Sequence, residues 1–139
     1  MAMPDVNYLA VLVAAISQMI IGAIWYGPLF GKQWMSLSKI KMDKKSMQKM
    51  KEKAKHSYVV MFIGSIITAM VFSYIIDYAE ATTVIDGMIG GIWIWLGFVV
   101  PLLAGSVIWE NKPKGLYYLN IGYYLISLMI MGAILAVWV

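Results

Sequence analysis

The chain has 139 residues, 62% of them hydrophobic and only 13% charged, with a net charge of +4 and no cysteine. Soluble domains run at about 45–50% apolar residues and about 25% charged, so this balance argues against a water-facing globular domain. The absence of cysteine excludes disulfides and thiolate metal sites, and because all 11 basic residues are lysines, an arginine fork for phosphate or carboxylate is excluded too.

Four stretches lack Asp, Glu, Lys, Arg and His: residues 6–31, 58–76, 87–109 and 115–139. A helix needs roughly 20 apolar residues to cross ~30 Å of hydrocarbon. The fold class expected is therefore all-α, a polytopic transmembrane four-helix bundle forming a single membrane domain over residues 1–139. Its spans are placed at about 7–27, 58–77, 87–109 and 116–138.

The first stretch is expected to stay in place. Its leader carries no basic residue, and no small-x-small cleavage site closes it, unlike a removable signal peptide. It ends in Ile24-Trp25-Tyr26-Gly27-Pro28-Leu29-Phe30-Gly31-Lys32-Gln33-Trp34. The residue before a proline is pushed out of the helical region, so Gly27-Pro28 is expected to end the helix. Gly31 adds a flexible point, giving a re-entrant or interfacial turn that carries aromatic side chains.

Nine lysines then fall between residues 29 and 57 against two acids, Asp43 and Glu52, a net +7. Over about 36–56, Leu37, Ile40, Met47, Met50 and Ala54 recur near helical spacing. Lys41, Lys44, Lys45, Lys49, Lys51, Lys53 and Lys55 occupy most of the other positions. This predicts a cytoplasmic amphipathic helix between the first and second spans. It has two readings. The helix lies on the inner leaflet with its lysines near anionic lipid, or its methionine stripe docks a partner or gates the cytoplasmic mouth. Without arginine or interleaved aromatics, nucleic acid is not an expected partner. His56 is the only histidine and has no second ligand nearby, so neither a metal site nor any other cofactor is expected.

Small residues recur through the spans. Ala23 and Gly27 are four apart in the first, as are Gly64 and Thr68, and Ser65 and Ala69, in the second. In the third, Gly87 pairs with Gly91, and Gly97, Pro101 and Gly105 follow at steps of four; in the fourth, Gly132 pairs with Ala136. Membrane helices associate by such close backbone approach, since lipid supplies no hydrophobic drive between them. Intramolecular packing accounts for the pattern; a homo-oligomer is the other use of it. Pro101 should break the backbone ladder inside the third helix.

Lysine placement sets an orientation. The connection at residues 77–86 holds Asp77, Glu80 and Asp86 and no lysine, whereas the one after the third span holds Lys112 and Lys114 beside Glu110. Lysine-rich short loops stay in the cytoplasm, which puts both termini outside. Trp25, Trp34, Trp109, Tyr117 and Tyr118 then fall at inner ends of spans, and Tyr8, Tyr74, Tyr78 and Trp138 at outer ends, as interfacial aromatics do.

Polar groups within the spans are sparse, and no Asp, Glu, Lys or His sits at mid-membrane, which counts against a proton-coupled transporter. No ligand spacing, nucleophile triad or phosphate loop is present. The densest cluster lies at the cytoplasmic end, where Trp25, Tyr26, Gly27, Pro28, Trp34, Glu110, Asn120 and Tyr124 are the candidate ligand-binding residues. Asn120 and Tyr124 lie four apart on one helix face, with Tyr117 three before Asn120. Glu110 either pairs with Lys112 or Lys114, or turns inward, where desolvation would raise its pKa.

These segments carry a resemblance. WYGPLFGKQWM after the first span, WLGFVVP in the third, a glutamate followed by basic residues, and NIGYYLISLMIMGAILAVW in the fourth resemble the domain of unknown function 1761 family of small membrane proteins. The resemblance covers nearly the whole chain in motif order, the lysine-rich residues 38–56 being the most individual part. It implies four transmembrane helices and no assigned activity. It points to Trp25, Tyr26, Gly27, Pro28, Gly31, Trp34, Gly97, Pro101, Glu110, Asn120, Gly122 and Gly132 as pattern positions.

The expected function is non-enzymatic: a small integral membrane protein, homo-oligomeric, that binds a lipid or amphipathic molecule, or conducts a small solute, near the cytoplasmic aromatic cluster. Its partners would be the bilayer, anionic lipid of the inner leaflet, and a second copy or a partner membrane subunit; a prokaryotic cell membrane is the expected location. Two rival readings are an accessory subunit of a larger membrane complex, and a lipid- or quinone-acting enzyme using Glu110 with Tyr124.

Overall fold

The computed structural model of the protein describes residues 6–39 and 43–138. The described residues are helical, with no strand among them. The helices are α1 (Tyr8–Ile24), α2 (Gly31–Leu37), α3 (Lys44–Tyr78), α4 (Val84–Ile94), α5 (Val100–Ile108) and α6 (Lys114–Val137). A π turn, Trp25–Leu29, joins α1 toward α2, and a second, Trp95–Val99, joins α4 to α5. Four helical runs are long and apolar enough to cross a membrane: Tyr8–Leu29, Lys44–Tyr78, Val84–Ile108 and Lys114–Val137.

Both π turns have the same cause. A proline lacks an N–H and its ring crowds the carbonyl four residues back. Pro28 lies inside the first π turn, and Pro101 opens α5 immediately after the second. Widening by one residue relieves the clash, and the Phe30 N–H bonds the Trp25 carbonyl five residues back at 2.9 Å. The helix therefore does not end at Gly27-Pro28, as expected from the pair alone. It widens through Leu29, and Phe30 (φ −126°, ψ 15°) turns the chain into α2. Likewise the break expected at Pro101 is taken up one turn earlier, at Trp95–Val99.

α3 is one unbroken helix of 35 residues, about 52 Å at 1.5 Å per residue. The sequence predicts an amphipathic helix separate from the second span; instead the described part of that segment, from Lys44, is the first part of the same helix. The reason is local. From Lys44 to Ile63 no glycine or proline interrupts the chain, and residues 44–55 are, apart from Ser46, Lys, Met, Gln, Glu and Ala, which are strong helix formers. Ile40 and Lys41 lie outside the described residues.

Asp43 caps the start of α3, its side chain accepting from the Ser46 N–H at 2.8 Å. Hydrogen bonds from the Ser46 hydroxyl and then the Ser46 backbone hold the exposed Asp43 carboxyl below its ordinary pKa. A depressed carboxylate contributes its stabilisation above the unfolded pKa and loses it as pH falls through the folded one. The expected result is faster amide exchange at Ser46 and Met47, relative to intrinsic rates, once pH drops below the ordinary carboxylate range. Asp43→Ala should show the fast rate at every pH.

α6 is the hub, packing against α1, α3, α4 and α5. One stripe of each long helix faces inward: Ala10, Val11, Ala14, Ala15 and Gln18 on α1, and Ser65, Ala69, Phe72 and Ile76 on α3. On α6 the inward stripe includes Tyr123, Ser127, Met131 and Leu135. The opposite faces are large and apolar. Ile63, Ile67, Val71 and Ile75 line the outside of α3, and Trp93 (68%) and Leu102 (72%) are among the most exposed residues of the third span. Apolar surface this extensive marks contact with something other than water.

The tightest contact lies between α4 and α6. A Cβ on Gly87 would fall on the Gly132 carbonyl, one on Gly132 would fall on the Gly87 carbonyl, and one on Gly91 would fall on the Leu128 carbonyl. The two backbones touch directly, so dispersion between main chains replaces side-chain interdigitation. Ala136 is buried close by. Gly97 has open space around it, Gly105 meets only the Trp109 ring at 3.8 Å, and Pro101 is exposed. The second group of small residues in the third span therefore makes no close approach within the chain.

Candidate functional site

The buried core fills the half of the bundle next to the α3–α4 turn. At the other end, where α1 runs into its π turn and the lysines of α3 begin, the helices part around a cavity. It has a volume of about 660 Å³ and is lined by Met19, Gly22, Ala23, Tyr26 and Gly27 from the first span and Trp34 from α2. Met50, Lys53, Ala54, Ser57, Tyr58 and Met61 of α3 and Asn120, Tyr123 and Tyr124 of α6 complete it.

Each wall follows from local structure. The π turn rotates Tyr26 toward α6, where its hydroxyl donates to Asn120 Oδ1 at 2.6 Å. Tyr26 meets Tyr123 edge-on at 5.3 Å between ring centroids and Trp34 edge-on at 5.8 Å. These separations suit the aromatic quadrupole. Tyr123 also touches Tyr124 at 5.0 Å, and its buried hydroxyl donates to the Gln18 carbonyl at 3.1 Å. On α3, Met50, Ala54, Ser57 and Met61 recur at steps of four, three and four and line the cavity. Of the apolar stripe predicted for the basic segment, Met50 and Ala54 are in this lining, Met47 is not, and Leu37 belongs to α2.

The polar groups on this wall can donate, although the Ser57 and Tyr124 hydroxyls can also accept. Once Oδ1 of Asn120 accepts from Tyr26, its amide N–H groups remain. These, the Tyr124 hydroxyl, the Trp34 indole N–H and the Lys53 ammonium have no hydrogen-bond or ion-pair partner among the described residues. Among the described residues no carboxylate lines the cavity.

A second hollow, about 500 Å³, lies between α1 and α3. Its lining is almost wholly apolar, and it shares Met19, Ala23 and Tyr58 with the first. The chamber and this apolar groove thus border each other along those three residues.

The predicted site residues divide accordingly. Tyr26, Gly27, Trp34, Asn120 and Tyr124 line the cavity. Trp25 sits beside it, on another face of α6: its Nε1 donates to the Leu119 carbonyl at 3.0 Å. A Cβ on Gly122 would lie 3.0 Å from the Trp25 ring, so Gly122 is what lets the indole reach α6. Pro28 shapes the π turn. Glu110 stays at the surface, 61% exposed and paired with Lys112 at 3.3 Å, so the structure does not bring it to Tyr124.

Lys53, Met50, Tyr123 and Trp95 were not singled out for this region by sequence reasoning. Trp95 carried a signal: Trp95-Leu96-Gly97 repeats the Trp-x-Gly of Trp25-Tyr26-Gly27. Both tryptophans open a π turn, and the Trp95 Nε1 donates to the Ile121 carbonyl at 2.7 Å, two residues from the carbonyl that Trp25 uses. The first and third spans are thus pinned to α6 at nearly one depth. Trp25→Phe and Trp95→Phe should each cost about 0.5–1.5 kcal/mol of stability in detergent, measured by thermal unfolding, with little change in helix content.

Residues 9–136 match the family described as "Protein of unknown function (DUF1761)". No curated protein and no solved structure matches the chain.

Proposed function

For this chain, which belongs to the DUF1761 family of proteins of unknown function, we propose a non-enzymatic role as an integral membrane protein that binds a lipid or other amphipathic molecule. The observation that carries this reading is the 660 Å³ aromatic chamber formed by α1, α2, α3 and α6, with its apolar groove open along α1 and α3. A concave site with mostly apolar walls and a few converging polar groups is the usual form of a small-molecule site. Bordered by an outward apolar groove, it suits a ligand with one polar end. The lysines at this end favour its placement on the cytoplasmic side, with both termini outside.

Native mass spectrometry after extraction in mild, lipid-retaining detergent tests the reading. The expected spectrum shows the chain carrying a bound amphiphile that Trp34→Ala releases. A spectrum of bare chain under conditions that keep lipid on a control membrane protein would contradict it.

A second reading, self-association through the third span, is favoured by one observation: Gly97 and Pro101 lie on the exposed surface beside Leu96, Phe98 and Leu102. Gly97→Ile should then shift the mass of the detergent-extracted particle to that of a single chain.

A further inference from the structure

We infer that the ligand of this chamber is an anionic phospholipid drawn from the surrounding leaflet, with its phosphodiester headgroup held at Lys53 and Asn120. This assignment rests on the binding role proposed above and adds the chemical class of the ligand. Three observations carry it.

The first is the character of the polar wall. Lys53, the Asn120 amide, the Tyr124 hydroxyl and the Trp34 indole all offer hydrogen to a ligand, and among the described residues no carboxylate lines the cavity. A choline or amine headgroup would find no counter-charge here, whereas phosphate oxygens accept from every one of these groups. Tyr26 contributes by fixing the Asn120 amide, because its hydroxyl already occupies Oδ1 at 2.6 Å.

The second is charge. α3 carries six lysines over residues 44–55 against the single acid Glu52, and among the described residues Lys53 is the lysine that lines the chamber. Juxtamembrane lysines of this density draw anionic lipid toward the surface, and Lys53 gives that attraction a fixed end point. The third is adjacency. The groove lined by Ile16, Ile20, Phe62 and Ile63 borders the chamber along Met19, Ala23 and Tyr58. An acyl chain can lie there without leaving the hydrocarbon while its headgroup enters the polar chamber.

The test is lipid exchange in nanodiscs made with phosphatidylglycerol or phosphatidylcholine of identical chains, read by native mass spectrometry on release. Wild type is expected to keep phosphatidylglycerol about fivefold to tenfold better than phosphatidylcholine. Lys53→Gln should remove that preference, while Lys51→Gln, on the exposed face outside the chamber, should keep it. Equal retention of the two lipids by wild type would overturn the anionic assignment and leave the binding role standing. A preference weakened equally by both substitutions would assign the effect to general surface charge and overturn the headgroup site. Retention of neither lipid, nor of any other amphiphile, would overturn both readings together.

Discussion

Gly91→Leu is expected to be among the most damaging single substitutions in this protein. A Cβ at Gly91 already falls on the Leu128 carbonyl, and the main chain of α6 cannot step aside as a flexible side chain could. Overpacking normally costs about 1–3 kcal/mol, occasionally more, and a clash of backbone with backbone belongs at the upper end. Gly87→Leu and Gly132→Leu should behave alike, since each faces the other's carbonyl. The check is thermal unfolding in detergent: these variants should lose most of the folded population or fail to purify as one species. Gly97→Ala should leave stability unchanged or slightly raised, because that position meets open space and alanine is the better helix former by ~1 kcal/mol. If Gly97→Ala and Gly91→Ala were equally harmful, the α4–α6 packing would be wrong.

Asn120→Leu is expected to have the largest effect on ligand binding for the smallest effect on fold. The change is nearly isosteric. It takes from Tyr26 its 2.6 Å acceptor and from the chamber two donors. Hydrogen bonds to a charged group are worth about 1.5–3 kcal/mol, so retention of an anionic amphiphile should fall roughly 10- to 100-fold. Unfolding temperature should change little, since the half-buried Tyr26 hydroxyl borders the chamber and can be hydrated there. Tyr26→Phe should fall between Asn120→Leu and wild type, as it frees the amide without removing it. Unchanged retention in Asn120→Leu would separate the chamber's polar wall from whatever binds.

The sequence carried the helical segments in their uncharged stretches, because a bilayer-length apolar run has few other uses. The Gly87-Gly91 spacing pointed to a face that the structure sets against Leu128 and Gly132. The same spacing at Gly97, Pro101 and Gly105 did not meet a neighbour, since steps of four reveal a small-residue face without saying what it touches. The two π turns were not legible, because proline signals a broken ladder but leaves open whether the helix ends or widens.

At the site, the aromatic string around Trp25 and the Asn120–Tyr124 face pointed to the end of the bundle where the cavity lies. What was missed depends on direction and reach. Trp25 and Tyr26 are neighbours in the chain, yet one points to the Leu119 carbonyl and the other to Asn120. Lys53 looked like one of many lysines on a solvated face, and only the unbroken run of α3 brings it over the chamber. Glu110 is the converse. It was attractive as the acid nearest the aromatic cluster, but the turn beyond α5, with Asn111 at φ 56°, leaves it at the surface beside Lys112.

The central claim is that a membrane amphiphile occupies the chamber between α1, α3 and α6. Photo-crosslinking tests it most directly, using a phospholipid with a diazirine near its headgroup, reconstituted with the protein and mapped by peptide mass spectrometry. The account predicts labels concentrated on Met50, Ala54, Met61 and Ala23, and sharply reduced in Asn120→Leu. Labels spread evenly over the outward faces, as dense at Ile67 and Leu102 as at the chamber and unaffected by Asn120→Leu, would contradict it.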